Sequence, residues 1–246
     1  MLSYFPISDH GIDMIELNRY NMKIKEGREV LENQKYEILS IYVGQPDTYE
    51  FAGKKVETAI VKQAVDKPVF LGRTNFDGDR QADLVHHGGA DKAVCVYPAV
   101  HYAYWEEVLN KKLPQAAFGE NVTVQGLTEK DVCIGDTFKL GEALVQISQP
   151  RQPCFKLAKK LNEKDMVLRV RETGYSGFYF RVLQEGIVAP RAQLELVSRD
   201  PHEMTVSYAN HLMYHDRNNK PAIQRILEVE ALSDSWRASF LKQLTA

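Results

Sequence analysis

The chain has 246 residues, 44% hydrophobic and 26% charged, with a net charge of -2. That is long enough for a sizeable core and ordinary in composition for a globular protein. No run approaches the ~20 apolar residues of a membrane-spanning helix, and the charge balance supplies no general field for a nucleic acid duplex or an anionic membrane.

The three cysteines, Cys95, Cys133 and Cys154, are odd in number and widely spaced. Such usage argues against a disulfide framework and for a reducing, cytoplasmic setting. None belongs to a Cys-x-x-Cys pair, so a zinc ribbon or thioredoxin motif is excluded. Met1 to Tyr20 mixes Asp9, Asp13, Glu16 and Arg19 among its apolar residues, unlike the basic start and apolar run of a signal peptide. Residues 1–35 are set apart as a leader without assigned function.

From Tyr36 short apolar segments recur: Ile38 to Val43, Val56 to Val61, Pro68 to Leu71, Ala93 to Tyr97, Asn121 to Val124, Thr137 to Leu140 and Ala143 to Ile147. Asp77-Gly78 and Gly141-Glu142 read as tight turns between them. Helices are expected at His101 to Leu109, at Phe155 to Leu161, and at Asp165 to Thr173 with Gly174 as its C-terminal cap. Phe178 to Leu183 and Ala192 to Val197 read as the last strands. Many short strands with few helices predict an α+β chain built on a closed or nearly closed β-barrel over residues 36–199.

Beyond Pro201 the period becomes helical. Thr205, Asn219 and Ser233 are expected N-caps for three short amphipathic helices carrying Leu212 and Met213, Ile223 and Ile226, and Trp236 and Phe240. A bundle this small, residues 200–246, is marginal alone and is expected to pack on the barrel or a partner. Its Arg and Lys residues are balanced by Asp and Glu, so it lacks the electrostatic footprint of a DNA reader.

The stretch richest in chemistry is Gln149-Pro150-Arg151-Gln152-Pro153-Cys154-Phe155-Lys156-Leu157. Two prolines stiffen the path from a strand into a helix. A thiolate at the mouth of that helix would face unpaired backbone N–H groups, with Arg151 and Lys156 close by, all of which lower a thiol pKa. A rigid, electropositive cysteine suits a soft-metal ligand or a nucleophile; a buried structural cysteine is the alternative.

Three further stretches carry candidates. In Val85-His86-His87-Gly88-Gly89-Ala90-Asp91-Lys92-Ala93-Val94, the Gly-Gly pair allows close backbone approach to a ligand. Adjacent histidines cannot share one face of a strand or helix, so the pair alone does not make a metal site. For an anionic group, His87, Lys92 and the Gly-Gly amides are candidates, and Arg73 can join them. Phe118-Gly119-Glu120-Asn121 places Asn121 near the site, and Gly174 to Arg181 either walls a pocket with Tyr179 and Arg181 or is simply structural.

The Gln149–Leu157 and Val85–Val94 stretches, with Gly119-Glu120-Asn121 and Gly126-Leu127-Thr128, resemble the MOSC domain, and within it the YiiM-like group. The likeness runs from about Tyr36 to the end, including the three-helix tail. One departure is visible. Where the group often has two histidines before Tyr-Pro, Cys95 and Val96 precede Tyr97-Pro98.

The resemblance implies a β-barrel that binds the molybdenum cofactor (molybdopterin), with Cys154 as metal ligand and catalytic residue. Arg73, His86, His87, Lys92, Asn121 and Arg151 are the candidate cofactor-binding residues read from the sequence. The resemblance also implies reduction of small N-hydroxylated compounds such as hydroxylaminopurines and a flavin-containing reductase as electron donor; from the charge balance no nucleic acid duplex or membrane is expected as partner, and an oligomer stays open. Two other readings stay open: a sulfur carrier using a Cys154 persulfide in cofactor maturation, and a non-catalytic cofactor-binding protein.

Overall fold

The computed structural model describes residues 34–51, 53–83 and 88–245. The expected leader therefore lies almost wholly outside the described residues, as do His86 and His87.

The chain runs β1 (Lys35–Val43), β2 (Asp47–Phe51), β3 (Lys54–Thr58), β4 (Gln63–Ala64), β5 (Val69–Leu71), a 3-10 turn (Ala90–Lys92), β6 (Val94–Pro98) and α1 (Val100–Leu109). Then follow β7 (Val122–Gln125), β8 (Thr137–Leu140), β9 (Ala143–Pro150), α2 (Phe155–Leu161), α3 (Met166–Thr173), β10 (Phe178–Gln184), β11 (Gly186–Val188) and β12 (Gln193–Ser198). Three helices finish it: α4 (Val206–Tyr214), α5 (Lys220–Leu227) and α6 (Asp234–Thr245).

Seven strands close on themselves in the order β12-β8-β9-β10-β6-β7-β1, because β1 also pairs with β12 at Tyr36↔Leu194. The fold is thus a closed barrel with helices, an α+β architecture. Every neighbouring pair in the ring is antiparallel except β6 and β7, which run parallel at Val96↔Val122. A parallel pair needs a long crossover, and α1 lies within it. β4 is appended to β1, while β2–β3 and β5–β11 form small sheets outside the ring.

β6 is buried along its whole length. Its side chains alternate between two environments. Val94 and Val96 enter the main core with Phe138, Phe178 and Phe180, whereas Tyr97 joins a second apolar cluster with Trp105, Phe118 and Leu157 beneath α1 and α2. Cys95, on the same side of the strand as Tyr97, faces the cavity described below.

The caps read from the sequence are present. Thr205 accepts the amide of Tyr208, Asn219 that of Ala222, and Ser233 that of Trp236. Gly174 ends α3 in the left-handed region, φ 72°. Among the described residues no helix is long and apolar enough to cross a membrane.

Candidate functional site

β9 continues beyond Pro150 as an extended path. The Arg151 amide donates to the Gly177 carbonyl at 3.0 Å, so the chain stays tied to the foot of β10 while Gln152 and Pro153 carry it outwards. Cys154 then caps α2 in an extended conformation, with no side-chain capping hydrogen bond. Its side chain is partly exposed and lines an open cleft whose roughly 630 Å³ of empty space is shared with open solvent.

Arg151 lies in the wall of this cleft, 6% exposed. Its Nη2 donates to the Phe118 carbonyl at 2.5 Å, whereas its Nη1 has no partner among the described residues. Burial works against the guanidinium charge, but Cys95, Tyr179, Cys154 and Glu120 around it more than offset that, and its pKa moves up. A buried, permanently charged guanidinium with an unused N–H group is a standing invitation to an anion. Lys92 lines the same cleft; burial lowers its pKa, against the pull of Asp91 and Asp83.

Asn121 also stands in the wall, but its amide is already committed. Its Oδ1 accepts the Cys95 amide at 3.0 Å, and its Nδ2 donates to the Tyr42 carbonyl at 3.2 Å and to Asp79 Oδ2 at 2.8 Å. Both acceptor and donor ends are therefore engaged, and the side chain braces β1, β6 and the Asp79 turn. Arg73 stands apart. It does not line the cleft, and its Nη1 donates to the Val182 and Leu183 carbonyls at 3.0 and 2.7 Å. Tyr179 lines the cleft, whereas Arg181 is drawn to Asp91 at 2.7 Å.

Three wall residues escape a reading of the sequence. Asp79, buried beneath the cleft, accepts the Gly44 amide at 2.8 Å and pairs with Lys62, which also lines the wall. The Asp77-Gly78 turn was legible, but nothing local marks Asp79 as a hub for groups 17 to 42 residues away. Cys95, which reads as a packing cysteine, faces the cleft beside Tyr179 and Arg151. Burial pushes its thiol up to about 11.

The loop before β7 shapes the opposite wall. Gly119 has φ 74°, and a Cβ there would come within 2.5 Å of Ile60 Cγ1. The Ile60 and Ala116 carbonyls are both held by Lys160 of α2, whose amine burial lowers to about 8. Glu120, fully buried, accepts the Tyr102 hydroxyl at 2.5 Å and the Phe118 amide at 3.1 Å, which fixes the carbonyl that Arg151 binds.

The MOSC domain family matches residues 83–195, and the YiiM-like, 3-alpha helix domain matches residues 204–246. Protein YiiM of Escherichia coli (strain K12) is 38% identical over 208 residues, covering 83% of this chain and 91% of that protein. The chain is a YiiM-like MOSC protein. YflK of Bacillus subtilis (strain 168) is 60% identical over 213 residues, 87% of this chain and 96% of its own length. The crystal structure of YiiM from Geobacillus stearothermophilus superposes with a TM-score of 0.73 at 46% identity, over 85% of this chain and 99% of that one. A protein named Reductase from Gibberella moniliformis (strain M3125 / FGSC 7600) is 36% identical over 152 residues, 60% of this chain but 27% of that longer protein. In the YiiM-like MOSC frame, both the Cys154 stretch and the Lys92 turn fall within the MOSC match.

Proposed function

We propose that this YiiM-like MOSC protein is a molybdenum-cofactor-dependent oxidoreductase that reduces small N-hydroxylated compounds, with the Cys154 thiolate as the protein's ligand to the metal. The observation that carries the reading is the pairing, in one cleft, of a partly exposed thiol with a buried guanidinium whose Nη1 is unpartnered among the described residues. A soft thiolate suits molybdenum, and a phosphate-bearing pterin needs such cationic donors. The relative named Reductase supports redox chemistry in this family.

Arg151 and Lys92 would hold the anionic part of the cofactor. Asn121 would act through its bracing of β1 and β6, and His86 and His87 remain expected donors beside Gly88. Arg73, committed to the β10 carbonyls, is left out of this set. Among the described residues no group of three His, Cys, Asp or Glu side chains could hold a metal.

When bound, the cofactor would supply the two-electron chemistry that removes the hydroxyl oxygen: R–NH–OH with two electrons and two protons gives R–NH2 and water. The electrons would come from a flavin-containing reductase. The protein's part is to hold and orient, with Arg151 kept in place by the Phe118 carbonyl and Cys154 by the stiff Pro150–Pro153 path.

The test loads wild type, Cys154→Ala, Cys154→Ser and Cys133→Ala with molybdopterin cofactor, supplies reduced viologen, and follows loss of a hydroxylamine-type substrate. Both Cys154 variants should lose at least about a hundredfold in rate, because alanine supplies no ligand and the serine alcohol is a harder and rarely ionised one. Cys133→Ala, outside the cleft, should keep its rate. Full turnover by Cys154→Ser would remove the thiolate from the mechanism. Cyanide-labile sulfur on cofactor-free protein would assign Cys154 to persulfide transport instead.

A further inference from the structure

The cleft lining carries an excess of cations on a chain of net charge -2. Five cations (Lys62, Arg80, Lys92, Arg151 and Lys156) stand in it against two carboxylates, Asp79 and Asp83. Lys62 is consumed by Asp79, and the proposed function assigns Arg151 and Lys92 to the cofactor. Arg80 and Lys156 are left over at the rim, and neither has a carboxylate partner among the described residues. Beside them the first turn of α2 exposes Phe155, 59% accessible, one residue beyond Cys154. Lys159, likewise without a carboxylate partner among the described residues, stands 5.1 Å from the centre of the Phe155 ring. An exposed aromatic beside these cations offers one apolar contact within a positively charged surround.

We propose that this face, formed by Phe155, Lys156 and Lys159 with Arg80 in the same cleft lining as Lys156, docks an acidic electron-donor protein. The proposal rests on the electron-transfer reading above and deepens it by placing the donor. Electrons bound for a metal on Cys154 must arrive close to it, and Phe155 is its covalent neighbour. Unpaired cations steer an acidic partner through solvent and set its approach, while the ring supplies the contact that excludes water. A second copy of this chain paired symmetrically through this face fits less well, since it would bring an identical basic surface against this one.

The experiment uses full-length protein with a flavodoxin of strongly negative net charge as probe. Binding of the fluorescently labelled flavodoxin is measured by anisotropy, which needs no cofactor in the protein under test. Reduction of the hydroxylamine substrate is measured in parallel on loaded protein, driven either by flavodoxin or by viologen. Lys159→Glu and Phe155→Ser lie outside the cleft wall, and thermal melting checks that both stay folded. At low salt each should weaken flavodoxin binding and the flavodoxin-driven rate by roughly tenfold, with the viologen-driven rate unchanged. For Lys159→Glu the difference should shrink as salt rises from about 0.05 to about 0.5 M.

No binding by wild type, equal binding by all three proteins, or an equal fall in both rates would overturn the docking face. A concentration-dependent dimer abolished by Phe155→Ser would overturn it too, in favour of self-association. Absence of viologen-driven turnover in wild type removes the proposed activity instead, and the anisotropy result still decides whether this face binds an acidic protein.

Discussion

Cys95 and Cys154 share a cleft but differ in access. Cys95 is 5% exposed and its thiol is raised to about 11, whereas Cys154 is partly open to solvent. Native protein treated with iodoacetamide near neutral pH should therefore be alkylated at Cys154, and at Cys95 and Cys133 only after denaturation, as peptide mass mapping would show. The raised value also predicts a pH effect on stability. The folded state keeps the Cys95 proton to about pH 11 and the unfolded state only to about 9. The stabilisation is thus fully present below about pH 9 and lost as pH rises to about 11, a swing of about 2 to 3 kcal/mol. Urea titrations of wild type and Cys95→Ala across that window should diverge by this amount; parallel curves would contradict it. The same contrast shows what the sequence could reveal of the site. Cys154, Pro150, Pro153 and Arg151 are contiguous, so their joint chemistry is visible in one stretch. Cys95 looks like any strand cysteine, and only pairing with Tyr179 and Asn121 turns it to the cleft. Arg73 has the right charge, but two β10 carbonyls claim it, a contact about 110 residues distant that no local pattern announces.

Among the elements, the strand-to-helix path at Cys154 depends on its neighbours' backbone. Gly177 has φ 71°, and a Cβ there would sit 2.3 Å from the Val96 carbonyl oxygen, a backbone atom of the paired strand β6 that cannot swing aside. Gly177→Ala should cost about 3 kcal/mol, from the left-handed backbone penalty together with a clash in a packed region. Gly174 is the natural comparison. Its φ is 72°, but nothing lies within 4 Å of a Cβ there, so Gly174→Ala should cost only about 1 kcal/mol. Chemical denaturation of the pair checks the difference, and equal losses would show that the close approach at Val96 is relieved. Glycines of this kind read simply as turn residues in a sequence; the partner strand makes one of them irreplaceable. The regular elements were more legible. Phe155–Leu161 is helical with the expected bounds, and each apolar run maps onto a strand or its edge. The strands that leave no trace are β2, β4 and β11, which are polar or only two or three residues long and lie outside the ring. Period and hydrophobicity report burial: β2 and β4 bury little, and β11, which buries Gly186 and Val188, is too short to show a period.

At the scale of the whole molecule, the segments matching two families share one apolar core. Val206, Leu212, Ile223, Trp236 and Phe240 belong to the same buried cluster as Phe138 and Phe180 of the barrel. The entry to α4 is stitched to the loop before β8, with the Ile134 amide donating to the Met204 carbonyl at 2.9 Å and the Val206 amide to Val132 at 3.0 Å. The start of α6 is stitched to β9 by the Ser233 amide on the Ser148 carbonyl at 3.0 Å. Helices this short are marginal without such packing, so the tail should not melt ahead of the barrel. The two tryptophans provide the means to see it. Trp105 reports the cluster beneath α1, and Trp236 reports the tail. With Trp105→Phe leaving only Trp236, and Trp236→Phe leaving only Trp105, fluorescence can follow each region through urea. In each variant the remaining tryptophan should give the same midpoint as far-ultraviolet circular dichroism of that variant, the mark of a single cooperative transition. A chain ended after Glu203 should then fail to fold, binding a hydrophobic dye rather than giving a sharp melt. A Trp236 midpoint lower than the backbone midpoint by more than about 0.5 M urea would show instead that the helices dock on a barrel stable without them.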